Sequence, residues 1–117
     1  MEYCHEVLQT HPAVVVEEKL EGEEFSLQCL TDGKTVIATP PVQDHKRAFI
    51  NDFGPNTGGM GSYSCENHLL PFLEKEDVED GLKITQKVAE ALHKETGEYY
   101  KGIMYAGLIK TKYGIKL

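Results

Sequence analysis

The chain is 117 residues long, enough for one domain with its own core and no more. Hydrophobic residues make up 40% and charged residues 26%, the balance of a soluble globular protein, and a net charge of −7 leaves no basic surplus for nonspecific nucleic-acid binding. No apolar run approaches the roughly 20 residues of a membrane span and the N-terminus lacks a secretory pattern, so neither nucleic acid nor membrane is an expected partner and the cytoplasm is the expected compartment.

Met1 to Thr10 carries Tyr3, Val7 and Leu8 at helical spacing, like the tail of a helix, and His11-Pro12 stops it. The β-branched run Val14-Val15-Val16 predicts a strand buried on both faces that emerges at Glu17-Glu18-Lys19-Leu20. Glu21-Gly22-Glu23-Glu24 predicts a turn. Phe25, Leu27 and Cys29 then alternate with Ser26 and Gln28 as a half-buried antiparallel strand. Asp32-Gly33 is a tight-hairpin signal, and Thr35-Val36-Ile37-Ala38 returns from it. Pro40-Pro41 ends that strand and opens a polar stretch of roughly twenty residues, a length at which a structureless loop in a compact domain is usually functional or disordered.

Two signals lie in that stretch. Gln43-Asp44-His45-Lys46-Arg47 sets a carboxylate beside anion-pairing groups, Arg47 as a bidentate fork and Lys46 as a point charge; a solvated basic spot reads the same way. Gly54-Pro55-Asn56-Thr57-Gly58-Gly59-Met60-Gly61 holds four of the chain's eleven glycines, a bare backbone whose N–H groups can approach a ligand, or a surface loop that needs several turns.

From about Glu74 to Thr96 the pattern is helical, with Val78, Leu82, Val88, Ala89 and Leu92 near one face. Acids crowd its first turns, where the helix dipole favours them, and Gly97 is the expected stop. The residues Gly102 to Lys110 predict a central strand, Lys112-Tyr113-Gly114 a turn, and Ile115-Lys116-Leu117 the first piece of another strand. A half-strand at one end and a half-helix at the other suggest a segment of something longer. The fold class is α+β, a mostly antiparallel sheet with one long helix packed on it. Cys4, Cys29 and Cys65 are odd in number and form no Cys-x-x-Cys, so free buried thiols are expected. Tyr99-Tyr100 reads as packing rather than base stacking.

Glu17-Glu18-Lys19-Leu20-x-Gly22-x-Glu24 combines a strand edge, which can offer a C=O and an N–H to a purine, with a carboxylate that can accept from ribose hydroxyls. A charged strand end at a hairpin would look the same. Val14 to Ser26, Gln43 to Arg47, Gly54 to Gly61 with Ser62-Tyr63-Ser64, and Gly102 to Leu108 together resemble, in order and spacing, the phosphoribosylamine–glycine ligase (glycinamide ribonucleotide synthetase) family of ATP-grasp enzymes. The Glu-Glu-x-Leu-x-Gly-x-Glu block is shared by many ATP-grasp ligases; the Gln43–Arg47 block with Gly54–Gly61 is specific to this one.

The resemblance implies part of an ATP-grasp domain and a reaction in which ATP, glycine and phosphoribosylamine give glycinamide ribonucleotide, ADP and phosphate through a glycyl phosphate, in de novo purine biosynthesis. By the same resemblance, backbone groups of Glu17, Glu18 and Leu20 hold adenine, Glu24 the ribose, and Leu108 lines the base pocket. Lys46 approaches the nucleotide phosphates and shares the catalytic role with Arg47. Asp44, Arg47, Asn56, Thr57, Gly58, Gly59, Met60 and Gly61 face glycine and the phosphoribosyl group. The cation, Mg2+ or Mn2+, finds no ligand here: the family's Glu-x-Asn and Arg-Phe-Gly-Asp-Pro-Glu ligands are expected beyond Leu117, and Ala106 supplies no replacement acid. The family's preceding Rossmann-like domain and glycine-rich subdomain are also outside these residues. The expectation is therefore a partial ATP-grasp domain, 1–117, whose partners include the missing parts of the parent chain and which makes no glycinamide ribonucleotide alone. Two rival readings are an ATP-grasp ligase for another carboxylate, and a non-catalytic fragment that binds nucleotide or a partner.

Overall fold

The computed structural model describes residues 2–117, and of Glu2 only the backbone, so Met1 lies outside the described residues. A short helix α1, Glu2–Val7, opens the chain. The residues from Pro12 to Glu21 then run without regular pairing, which corrects the expected strand at Val14–Leu20. Val15 and Val16 are 81% and 80% exposed. β-Propensity describes how a side chain fits a pleated surface, and no described strand pairs with this run to supply that surface.

The core is a four-stranded antiparallel sheet. Strand β1 spans Gly22–Thr31, β2 Val36–Ala38, β7 Gly102–Thr111 and β8 Gly114–Lys116, in the order β2-β1-β7-β8. Between β2 and β7 come β3 (Gln43–Asp44), β4 (Arg47–Phe49), β5 (Phe53–Asn56), β6 (Ser62–Tyr63) and the long helix α2 (Lys75–Thr96). The hairpin at Asp32-Gly33 and the turn at Lys112-Tyr113 lie where the sequence places them.

The expected turn at Glu21–Glu24 is instead the start of β1. Gly22, Glu23 and Glu24 pair with Thr111, Lys110 and Ile109, so the ladder with β7 runs ten residues. Gly22 lies so close to β7 that a Cβ there would stand 2.0 Å from the Lys110 carbonyl oxygen. Only glycine fits; the residue that looked like a turn-former permits close strand approach.

Phe25, Leu27 and Cys29 of β1 and Ala106 and Leu108 of β7 turn to one face and are buried beneath α2. Phe72 packs edge-on against Phe25, with centroids 6.3 Å apart. Helix α2 presents Gly81, Thr85 and Ala89 to the sheet, one turn apart, while Val88 and Leu92 are 37% and 41% exposed. The expected face was therefore partly wrong. The helix lies so near the strands that a Cβ on Gly81 would sit 2.8 Å from Leu108 Cδ1, and small residues are selected at that contact. Gly97 ends the helix in the left-handed conformation, its N–H donating to the His93 carbonyl at 2.8 Å.

The polar stretch is not structureless. Strand β4 pairs with β5 through a 3-10 turn at Ile50–Asp52, and β3 pairs with β6. Within this arm the Lys46 carbonyl accepts from the Thr57 amide (2.6 Å) and hydroxyl (2.9 Å), and the His45 carbonyl from the Met60 amide (2.7 Å). These ladders are only two to four residues long, too short to carry an alternation to read.

Candidate functional site

The arm and the Glu24 end of β1 line an open cleft of about 960 Å3. Its lining includes Leu20 from the run before β1, Glu23 and Glu24 from the start of β1, Asp44 to Arg47 and Asn56-Thr57 from the arm, and Ile109 from β7. The Leu20–Glu24 end of the paired-glutamate block and the polar arm thus share one space, although 18 residues lie between Glu24 and Gln43 in sequence.

Lys46 is one of the contacts between the two walls. Its ammonium donates to the Glu24 carboxylate and stands 3.9 Å from Asp44 Oδ2. The bond to Glu24 holds the Lys46 pKa above its ordinary value against the opposing effect of burial, so Lys46 is a cation at any physiological pH. Arg47 donates from Nη1 to the Gly54 carbonyl at 2.9 Å and so helps brace its own hairpin. His45 stacks on Tyr63 with centroids 5.8 Å apart.

Glu17 and Glu18 line a separate recess of about 330 Å3, which shares Leu20 and Ile109 with the main cavity. Gly58, Gly59, Met60 and Gly61 continue the arm beyond Thr57 and are not among the residues lining the main cavity. Leu108 is fully buried under α2, and Ile109, one residue on and on the opposite face of β7, occupies the cavity wall. Strand parity decides between them, and parity was legible only once the helix-facing set was known.

Sequence reasoning also gave no role to Gln43, Glu23 or Tyr63. The Gln43 carboxamide donates to the Glu24 carbonyl (3.1 Å) and the Glu23 carboxylate (3.3 Å) and accepts from the Tyr63 hydroxyl (2.7 Å). Burial pushes the Tyr63 phenol above its ordinary pKa, which keeps it a donor. The one signal for Gln43 was its place at the head of the polar run.

The described residues do not form a divalent-cation site. No group of three or more His, Cys, Asp or Glu side chains among them is arranged to hold a metal, and Lys46 sits against Glu24 and Asp44, the carboxylates nearest the arm. The lining carries four carboxylates (Glu23, Glu24, Asp44, Asp52) against two cations (Lys46, Arg47), so these walls alone do not neutralise a polyphosphate. No described helix is long and apolar enough to cross a membrane.

The antiparallel sheet with one long helix on one face, and a polar cleft at the end of its central strands, is the architecture of an ATP-grasp domain, the class that the family and structural matches show. The family model described as phosphoribosylglycinamide synthetase, ATP-grasp (A) domain, matches residues 1–117, and the chain belongs to this family. Phosphoribosylamine–glycine ligase of Methanopyrus kandleri is 49% identical over 117 residues, covering 97% of this chain and 26% of that protein. The same-named protein of Methanosarcina barkeri is 50% identical over 115 residues, covering 98% and 26%. The crystal structure of phosphoribosylamine–glycine ligase from Thermotoga maritima matches with a TM-score of 0.71 at 31% identity, over 86% of this chain and 24% of that one. The chain thus spans about a quarter of the length of these relatives.

Proposed function

We propose that these residues form one wall of the nucleotide site in an ATP-dependent ligase that joins glycine to 5-phosphoribosylamine, giving glycinamide ribonucleotide, ADP and phosphate in purine biosynthesis. The observation that carries the reading is the cavity common to Leu20, Glu24 and Ile109 on one side and Asp44, Lys46, Asn56 and Thr57 on the other. Its volume is within the range of small-molecule sites. Glu24 accepts from ribose hydroxyls, Leu20 and Ile109 flank the base, and Lys46 meets the phosphates. Asp44, Arg47, Asn56 and Thr57 face the amino acid and the phosphoribosyl group, with Gly58 to Gly61 closing behind them.

In the reaction, a glycine carboxylate oxygen attacks the terminal phosphorus of ATP and ADP leaves. The amine of phosphoribosylamine then attacks the acyl carbon, phosphate leaves with the proton that the nitrogen gives up, and the amide forms. Lys46 stabilises the charge that develops on the transferred phosphoryl group, and the cleft keeps water from the acyl phosphate. The excess of carboxylates in the lining supports a further part of the reading: the 117 residues are a partial ATP-grasp domain, and the remaining neutralising charge and the Mg2+ or Mn2+ ligands come from elsewhere in a longer, cytoplasmic chain. Calorimetric titration of the chain with a non-hydrolysable ATP analogue tests the nucleotide wall. Saturable heat is the expected result, and none at millimolar analogue overturns it. The chain alone, given ATP, glycine and phosphoribosylamine, is expected to release no glycinamide ribonucleotide; turnover would refute the partial-domain reading.

A further inference from the structure

The open edge of β1 is satisfied step by step as the chain leaves the sheet. The Gln28 carbonyl accepts from the Thr39 amide at 2.9 Å. Two residues earlier, Ser26 and Val42 exchange backbone bonds of 2.7 and 2.9 Å. Two residues earlier again, the Glu24 carbonyl is the next acceptor on that edge, and there the backbone ladder stops. Its partner is the side-chain carboxamide of Gln43, which takes the place a main-chain N–H would hold. The second amide hydrogen goes to Glu23, and the carboxamide oxygen accepts from Tyr63 on β6, so the group bonds β1 twice and β6 once. Beyond Gln43 the arm hangs from this anchor, and Lys46 is three residues on.

We propose that Gln43 is a positioning residue: oriented by Tyr63, it pins the arm to β1 and so sets the placement of Lys46 relative to Glu24. The inference rests on the nucleotide reading above for its consequence, and on the hydrogen-bond pattern for its mechanism. A carboxamide suits the task because it donates twice and accepts in one plane. Glutamate would keep the shape but lose both donors and meet Glu23 as a like charge.

The test is made on the chain with three variants, Gln43→Leu, Tyr63→Phe and the two combined. Amide exchange is read at Ser26 and Val42, the backbone bonds nearest the anchor. Expected is about tenfold faster exchange there in Gln43→Leu, with Leu27 and Leu108 unchanged. The ATP-analogue dissociation constant is expected to rise about tenfold in Gln43→Leu and about threefold in Tyr63→Phe. The combined variant is expected to be no weaker than Gln43→Leu, because both changes act through one group. Tyr63→Phe removes a single oxygen, so it reports even where Gln43→Leu folds poorly. Unchanged exchange at Ser26 and Val42 in both single variants overturns the anchor. Faster exchange with unchanged analogue affinity, or affinity losses that add in the double variant, overturns the positioning role. Absence of analogue binding by the unsubstituted chain, with exchange faster as stated, overturns the nucleotide reading and the role that depends on it, and leaves Gln43 as a structural anchor only.

Discussion

Lys46 and Glu24 are partly exposed, at 38% and 51% of their side chains, and an ion pair so wetted contributes about 0.2–1 kcal/mol to folding at most. The pair is therefore a poor stabiliser and a better ligand device. Lys46→Met is expected to leave the thermal midpoint within a few degrees of the parent, yet weaken ATP-analogue binding about tenfold or more by removing a charge-assisted phosphate contact. Calorimetry and thermal melting on the same preparations separate the two effects. Because the contact is electrostatic, the gap between parent and variant should narrow as salt is raised. A variant that unfolds without losing affinity would make Lys46 a structural residue.

Helix α2 is tied to the sheet at its first turn. The Asp77 carboxylate accepts from the Glu74 amide (2.8 Å) and from Lys110 Nζ (2.6 Å), and Lys110 also donates to the Phe72 carbonyl at 2.9 Å. Burial raises the Asp77 pKa, but the bonds from Lys110 and the Glu74 amide outweigh it and hold the carboxyl below its ordinary range. A carboxyl depressed on folding contributes stability above its unfolded pKa and loses it as pH falls through the folded value. Asp77→Asn is thus expected to cost about 1–3 kcal/mol near pH 7 and to flatten the loss of stability below about pH 4, both read by urea unfolding across pH. Gly81→Ala sets two magnitudes against each other. Helix propensity favours alanine by about 1 kcal/mol, whereas overpacking costs about 1–3 kcal/mol. The added methyl would meet Leu108 at 2.8 Å and Leu27 at 3.3 Å, both fully buried, so a lower thermal midpoint is expected.

These same elements show what the sequence could tell. Helix α2 was legible because periodicity, acidic start and terminal glycine agree, but its contact face was not, since hydropathy favours Val88 and Leu92 over the small residues that close approach requires. The short ladders of the arm were hidden because two to four residues are too few to show alternation. The blocks that form the site were legible; that Glu24 and Lys46 touch, and that Ile109 rather than Leu108 lines the cavity, depends on tertiary pairing and strand parity.

At the scale of the molecule, one face of the sheet is covered by α2 and much of the other is bare. Across three strands, Ile37 lies opposite Leu30 and Leu30 opposite Ile103, and with Tyr105 each is more than half exposed. Val15 and Val16 add an exposed β-branched run that no described strand pairs with. A contiguous apolar row and an unpaired extended segment are both association hazards, and the net charge of −7 opposes association only at low salt. The chain by itself is expected to self-associate in a concentration-dependent way, more at high salt, as measured by sedimentation velocity. Ile103→Thr keeps β-branching and the backbone ladder while putting a hydroxyl at the centre of the row. It should shift the distribution toward monomer with little change in folding, because the side chain is already 64% exposed. If instead the parent is monomeric at high concentration and high salt, the bare face is too small or too interrupted to act as a sticky surface. If Ile103→Thr leaves association intact, the extended valine run becomes the site of contact, and Val15→Lys is the substitution that should then dissolve it.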